Sequence, residues 1–117
     1  MLSSPEVRLL GLLLSICTGS PAFADGTGKS LCPRFTGHKV QHIDIFDGNP
    51  TEQAYLAPDD DKTAPNTYTV GSIYEQGRKV TVRCTYDGGL MRDVVLNKAE
   101  TCNFSEDKRS GPSLVCR

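Results

Sequence analysis

The chain has 117 residues, a formal net charge of −1 at pH 7 and five cysteines. A chain of this length forms one small domain, because domains usually contain about 50–250 residues. The near-neutral charge argues against a nucleic acid or an anionic membrane as the partner, since both select basic surfaces.

The first 24 residues have the pattern of a secretory signal peptide. The apolar run at residues 9–16 is too short to span a bilayer, which takes about 20 apolar residues. An A-x-A cleavage signal follows it at residues 22–24. Cys17 does not fit a lipidation site, because the large Ile16 precedes it, so we predict no stable membrane anchor. The sequence therefore predicts export to the periplasm or the medium, with a single mature β domain at residues 25–117.

Short strands are predicted in the first half of this mature region. Residues 38–46 alternate in polarity, and a DGNP turn at residues 47–50 ends them. Residues 51–56 fit either a short strand or a single helical turn. Residues 57–66 form a polar loop, and residues 67–73 are predicted as a short strand interrupted by a glycine.

The clearest strand covers residues 79–86, where apolar and polar side chains alternate strictly. Its two faces carry the apolar set Val80, Val82, Cys84 and Tyr86 and the polar set Lys79, Thr81, Arg83 and Thr85. Further strands are predicted at residues 90–96, 102–105 and 113–117. No stretch keeps a helical period. The predicted fold class is all-β, mainly antiparallel: a small disulfide-stapled sheet or sandwich of about five or six short strands.

Four of the five cysteines lie in the mature region, and an even number in an exported chain indicates disulfides. They lack the C-x-x-C or cysteine–histidine spacing that is typical of zinc sites. Four cysteines allow three connectivities, and the predicted turns favour one of them. Cys102 and Cys116 flank a predicted hairpin and would face each other across it. This leaves Cys32 to pair with Cys84.

An acidic stretch at residues 47–61 is the first candidate for a metal or catalytic site. The contiguous aspartates at residues 59–61 do not alternate as calcium-loop ligands do. The carboxylates lie in polar loops without an aromatic wall to raise a pKa for acid–base catalysis. On a strand, His38 and His42 would be about 13 Å apart, too far to share one metal. We predict no catalytic residue, no metal and no cofactor.

A protein partner is therefore the main functional expectation. A wet strand face with arginine and threonine suits protein recognition, and the acidic stretch could meet a basic cleft and speed association. The residues predicted to contact the partner are Asp47, Glu52, Asp59, Asp60, Asp61, Lys79 and Arg83.

Several motifs resemble a family of small exported proteins of Gram-negative bacteria, which have an early Cys-Pro, a phrase close to FDG-P-E-A-L-P, a C-x-Y strand and two late cysteines. The matching positions are Cys32, Pro33, Phe46, Asp47, Gly48, Pro50, Glu52, Ala54, Leu56, Pro58, Cys84, Tyr86, Cys102 and Cys116. The family usually carries tryptophan near the C-x-Y strand, and this chain has none. Some relatives are encoded beside type VI secretion effectors. The resemblance implies a periplasmic immunity protein that neutralises a cell-wall-cleaving toxin.

The sequence thus predicts an exported module that binds another periplasmic or secreted protein, as an immunity or inhibitor protein, and that is not an enzyme. Two alternatives stay open. Residues 80–89, VTVRCTYDGG, resemble the strand and turn of lysozyme inhibitors. The other alternative is a small metal-binding protein or hydrolase.

Overall fold

The structure, a computed structural model, describes residues 30–117 and the backbone of a short strand, Phe23–Asp25. This strand spans the predicted cleavage position. The rest of the predicted signal peptide lies outside the described residues, so cleavage stays a prediction. In the described part of the chain, we find no helix with the length and apolar character that a membrane span requires.

The described residues form seven strands in two sheets, with little helix. The strands are β1 (Phe23–Asp25), β2 (Val40–Asp47), β3 (Thr67–Thr69), β4 (Val80–Tyr86), β5 (Met91–Lys98), β6 (Thr101–Asp107) and β7 (Gly111–Cys116). One helix, α1 (Gly71–Glu75), and 3₁₀ turns at Pro50–Glu52 and Asp87–Gly89 complete the elements. The all-β, mainly antiparallel fold class is confirmed.

The first sheet has the strand order β1-β5-β4-β2, and the second has the order β3-β6-β7. Neighbouring strands run antiparallel except β1, which is parallel to β5. The segment before β2 joins the edge of β7 through a Ser30–Val115 bridge. In the same place the Leu31 N–H donates to the Leu114 carbonyl at 2.9 Å. The N-terminal segment therefore extends the second sheet before the chain enters the first.

The core lies behind β4, the strand between β5 and β2. The apolar face predicted from its alternation is buried, and no member is more than 1% exposed: Val80, Val82, Cys84 and Tyr86. These side chains belong to one cluster with Leu96 of β5 and with Cys102 and Leu114 of the second sheet. The strict alternation of apolar and polar side chains along β4 thus indicates a strand with the core on one face.

Two local predictions are wrong. Residues 67–73 do not form one strand, because the strand ends at Thr69 and α1 begins at Gly71. A helix of five residues is too short to show a helical period in the sequence. Thr81 lies on the predicted polar face of β4, but its expected exposure is wrong. It is only 5% exposed, because its neighbours on that face are Phe46 of β2, on which Tyr55 packs, and Val95 of β5.

Both predicted disulfides are confirmed. Cys32 is bonded to Cys84 across 52 residues of sequence, and Cys102 to Cys116 across 14. The second pair joins directly opposed positions of β6 and β7, whose turn is shorter than the sequence suggested. All four cysteines are buried. Two buried disulfides indicate an oxidising compartment outside the cytoplasm.

Removing either disulfide is expected to destabilise the domain strongly. By the chain-entropy model, Cys32→Ala/Cys84→Ala should lower the free energy of unfolding by about 4 kcal/mol, and Cys102→Ala/Cys116→Ala by about 3 kcal/mol. Urea unfolding of the oxidised protein and of the two variants measures both values. A loss below about 1 kcal/mol for either variant would show that the bond does not restrict the unfolded chain as this model requires.

Candidate functional site

Arg78 holds the first part of the acidic stretch. Its Nε donates to Asp47 Oδ1 at 2.7 Å, and its Nη2 donates to Glu52 Oε1 at 2.7 Å and to the Asp47 carbonyl at 3.2 Å. The hydrogen bonds to the Asp47 and Glu52 side chains raise the pKa of Arg78. Two predicted contact residues are therefore brought together, and one guanidinium offsets part of their combined negative charge.

Gly48 makes this arrangement sterically possible. Its φ is +90°, and a Cβ at this position would lie 2.5 Å from Arg78 Nη2. The Gly48 N–H donates to the Lys79 carbonyl at 2.8 Å, which ties the turn to the start of β4. Lys79 itself is exposed. Glycine is required here both for its backbone conformation and for the close approach of the guanidinium.

The aspartate run forms a fixed loop in which the three side chains do not converge. Asp59 accepts hydrogen bonds from the Thr69 N–H and hydroxyl. Asp61 Oδ1 accepts from the Thr63 hydroxyl at 2.7 Å and from its N–H at 2.9 Å. The hydroxyl hydrogen bond is the main reason that the pKa of Asp61 is lowered. Asp60 is exposed, and no described residue hydrogen-bonds to its side chain.

Each histidine is paired with an aspartate. His42 Nε2 lies 2.8 Å from Asp44 Oδ1, and His38 Nδ1 lies 3.0 Å from Asp87 Oδ1. No serine hydroxyl among the described residues hydrogen-bonds to the His38 ring. Among the residues that the structure describes, no group of three histidine, cysteine, aspartate or glutamate side chains could hold a metal ion.

The outer face of the first sheet is the face that points away from the core. Three rows of side chains cross β2, β4 and β5 on this face: His42–Thr85–Met91, Asp44–Arg83–Asp93 and Phe46–Thr81–Val95. In the middle row, Arg83 donates from Nε and Nη2 to the two carboxylate oxygens of Asp93, at 2.8 and 3.0 Å. These bonds to Asp93 raise the pKa of Arg83. A bidentate pair of this kind fixes the guanidinium in one orientation.

Two large apolar side chains are exposed on this outer face. They are Tyr55, which is 60% exposed, and Met91, which is 49% exposed, and they are the exposed large hydrophobics of the described residues. The Tyr55 ring packs on Phe46, with 4.6 Å between ring centroids, so it stands over the third row. The row with Arg83 therefore lies between the two apolar side chains.

A groove of about 610 Å³ opens on another part of the domain, between the segment before β2 and the β6–β7 turn. Its floor includes Tyr86 and Phe35, whose rings meet edge to face at 5.2 Å. Three basic side chains of arginine and lysine line it: Arg34, Lys39 and Arg109. The groove could not be predicted from the sequence, because residue spacing does not reveal that a turn near residue 109 meets residues 34–39.

Comparisons with protein-family models, with curated proteins and with solved structures find no match to this chain. The resemblance to exported proteins of Gram-negative bacteria accordingly stays a prediction.

Gly48→Ala is expected to destabilise the domain more than Gly77→Ala. Both glycines have positive φ, 90° and 78°, so alanine at either position costs about 1–2 kcal/mol of left-handed strain. Only at Gly48 would the new Cβ meet a side chain, which displaces Arg78 from Glu52. Urea unfolding of both variants measures the difference. Equal losses would show that the Arg78 contacts do not stabilise this turn.

Thr63→Val is expected to raise the pKa of Asp61 toward its ordinary value of 3.8, because it removes the hydroxyl that favours the charged carboxylate. A carboxyl group whose pKa is lowered in the folded state stabilises the fold at a pH above its ordinary pKa. This stabilisation is lost as the pH falls through the folded-state pKa. NMR titration of the Asp61 carboxyl in both proteins tests this. An unchanged pKa in the variant would contradict the assigned cause.

Proposed function

We propose that the protein is an exported, disulfide-stapled module that binds another periplasmic or secreted protein, and that it acts as an immunity or inhibitor protein. The observation that carries the proposal is the outer face of the first sheet. There Tyr55 and Met91 are exposed on either side of the fixed Arg83–Asp93 pair. Tyrosine, methionine and arginine are enriched in protein interfaces.

The rigidity of this face favours binding. Arg83 is held by two hydrogen bonds to Asp93, and its guanidinium carbon also lies 5.4 Å from the centroid of the Phe46 ring. Tyr55 rests on that same ring. Side chains that are already ordered lose less conformational entropy when a partner binds. The face is thus organised before contact, as an inhibitor surface requires.

The acidic stretch is the weaker part of the predicted contact surface. Asp47 and Glu52 are bonded to Arg78, so a basic partner would have to compete with that guanidinium. Asp59 and Asp61 accept hydrogen bonds from threonines of the same domain. Asp60 alone in the run offers an exposed carboxylate without a described hydrogen bond. We therefore place the centre of the interface at Arg83 and Tyr55, with the acidic stretch at its rim.

The experiment is a differential capture followed by an affinity measurement. The full chain is expressed with a C-terminal tag so that it is exported and oxidised, and periplasmic proteins and cell-wall-cleaving enzymes, including lysozymes, are passed over it. A true partner is retained by the wild type and lost with Tyr55→Ala/Met91→Ala. Inhibition of the captured enzyme's activity then tests the inhibitor role.

Tyr55→Ala is expected to weaken the affinity for that partner by about 30-fold, which corresponds to about 2 kcal/mol. Arg83→Ala should act in the same direction. Glu75→Ala, an exposed position on α1, is the matched control and should leave the affinity unchanged. A partner that binds Tyr55→Ala as tightly as the wild type would place the interface elsewhere, and failure to retain any protein would contradict the proposed function.

A further inference from the structure

The groove between the N-terminal segment and the β6–β7 turn has one wall that is fixed covalently. The Cys32–Cys84 disulfide attaches this wall to β4. Next to it, the Tyr86 hydroxyl donates a hydrogen bond to the Pro33 carbonyl, and the Phe35 ring packs edge-on against Tyr86. A ligand that enters the groove therefore meets a preformed wall and does not have to order it.

The opposite wall is fixed by backbone packing. Gly111, at the start of β7, has a φ of +80°, and a Cβ there would lie 2.8 Å from the Val40 carbonyl oxygen. The hairpin thus lies directly against the backbone of β2. In the turn that precedes it, Asp107 accepts hydrogen bonds from the Arg109 N–H at 3.1 Å and the Ser110 hydroxyl at 3.3 Å. These bonds shape the turn that carries Arg109.

The charge of the groove is of one sign. Arg34, Lys39 and Arg109 line it, and the lining contains no aspartate or glutamate. Asp87 lies nearby but contacts His38 Nδ1 and accepts a hydrogen bond from the Lys39 N–H at 3.2 Å. The whole chain has a net charge of −1, so the positive charge is local to this groove. A cleft with charges of one sign concentrates ions of the opposite sign.

We infer that this groove binds a ligand that carries an oxyanion, either a carboxylate or a phosphate group. The guanidinium groups of Arg34 and Arg109 bind the oxyanion, because their planar donors match the geometry of carboxylate and phosphate. The hydroxyl of Ser113 supplies a further donor at the same wall, and the remainder of the ligand lies against the half-buried Phe35 ring. The volume of about 610 Å³ is that of a small-molecule site.

This inference is independent of the proposed function. The groove shares no lining residue with the rows of the outer face or with Tyr55. A protein that fails to bind a partner protein could still bind an oxyanion here, and the reverse also holds. The two experiments therefore fail or succeed separately.

The test is an NMR titration of the full exported chain with inorganic phosphate and, separately, with citrate, at constant ionic strength. Glucose serves as the neutral probe. We expect saturable shifts of the amides of Arg34, Arg109 and Ser113 with at least one of the two anions, and none with glucose. A response to phosphate alone or to citrate alone identifies which oxyanion the site prefers. Shifts that do not saturate with either anion would overturn the inference.

Two arginine variants and one control localise the binding. Arg34→Gln and Arg109→Gln should each weaken the affinity by about threefold to tenfold, because each removes one charged donor pair. Lys108→Gln is the matched control, since it removes an exposed cation from the same turn but does not line the groove. Backbone spectra of all three variants confirm that the fold is retained. Equal weakening by Lys108→Gln, or full affinity in both arginine variants, would contradict a site in this groove.

Discussion

The Cys32–Cys84 disulfide is the contact on which both the core and the groove depend. Cys84 lies within β4, in the middle of the buried face. Cys32 follows residues that pair with the edge of β7 in the other sheet. The bond therefore links the two sheets through the N-terminal segment, in addition to side-chain packing. In a domain this small, which buries a modest core, such a link supplies a large share of the stability.

The features that could be predicted from the sequence are those that depend on residues close together in the chain. Strict alternation identified β4, because a strand with one buried face alternates in polarity, and the turn between Cys102 and Cys116 indicated that they pair across a hairpin. Contacts between distant segments leave no such pattern. The bond between Arg78 and Asp47 spans 31 positions, and Arg109 meets the wall around Arg34 only after the whole chain has folded. Neither the acidic turn's partner nor the groove could therefore be predicted.

The distribution of charge changes the functional interpretation. The sequence made the acidic stretch a candidate partner contact, but the fold provides Arg78 for its first two carboxylates and threonine donors for Asp59 and Asp61. The residues that line the groove include three cations and no carboxylate. Carboxylates that are hydrogen-bonded inside a domain mainly fix the backbone, whereas a cleft lined by cations attracts an anionic ligand. We accordingly propose that recognition takes place at the outer face and in the groove.

Hydrogen exchange at two amides tests most directly whether the Cys32–Cys84 bond holds the N-terminal segment in place. The Leu31 N–H donates to the Leu114 carbonyl beside this bond, and the Phe104 N–H of β6 donates to the carbonyl of Asn66, which precedes β3. In Cys32→Ala/Cys84→Ala, exchange at Leu31 should accelerate far more than exchange at Phe104, because the segment detaches locally. Acceleration of both amides by the same factor would mean that the bond stabilises the domain only globally, and would contradict this account.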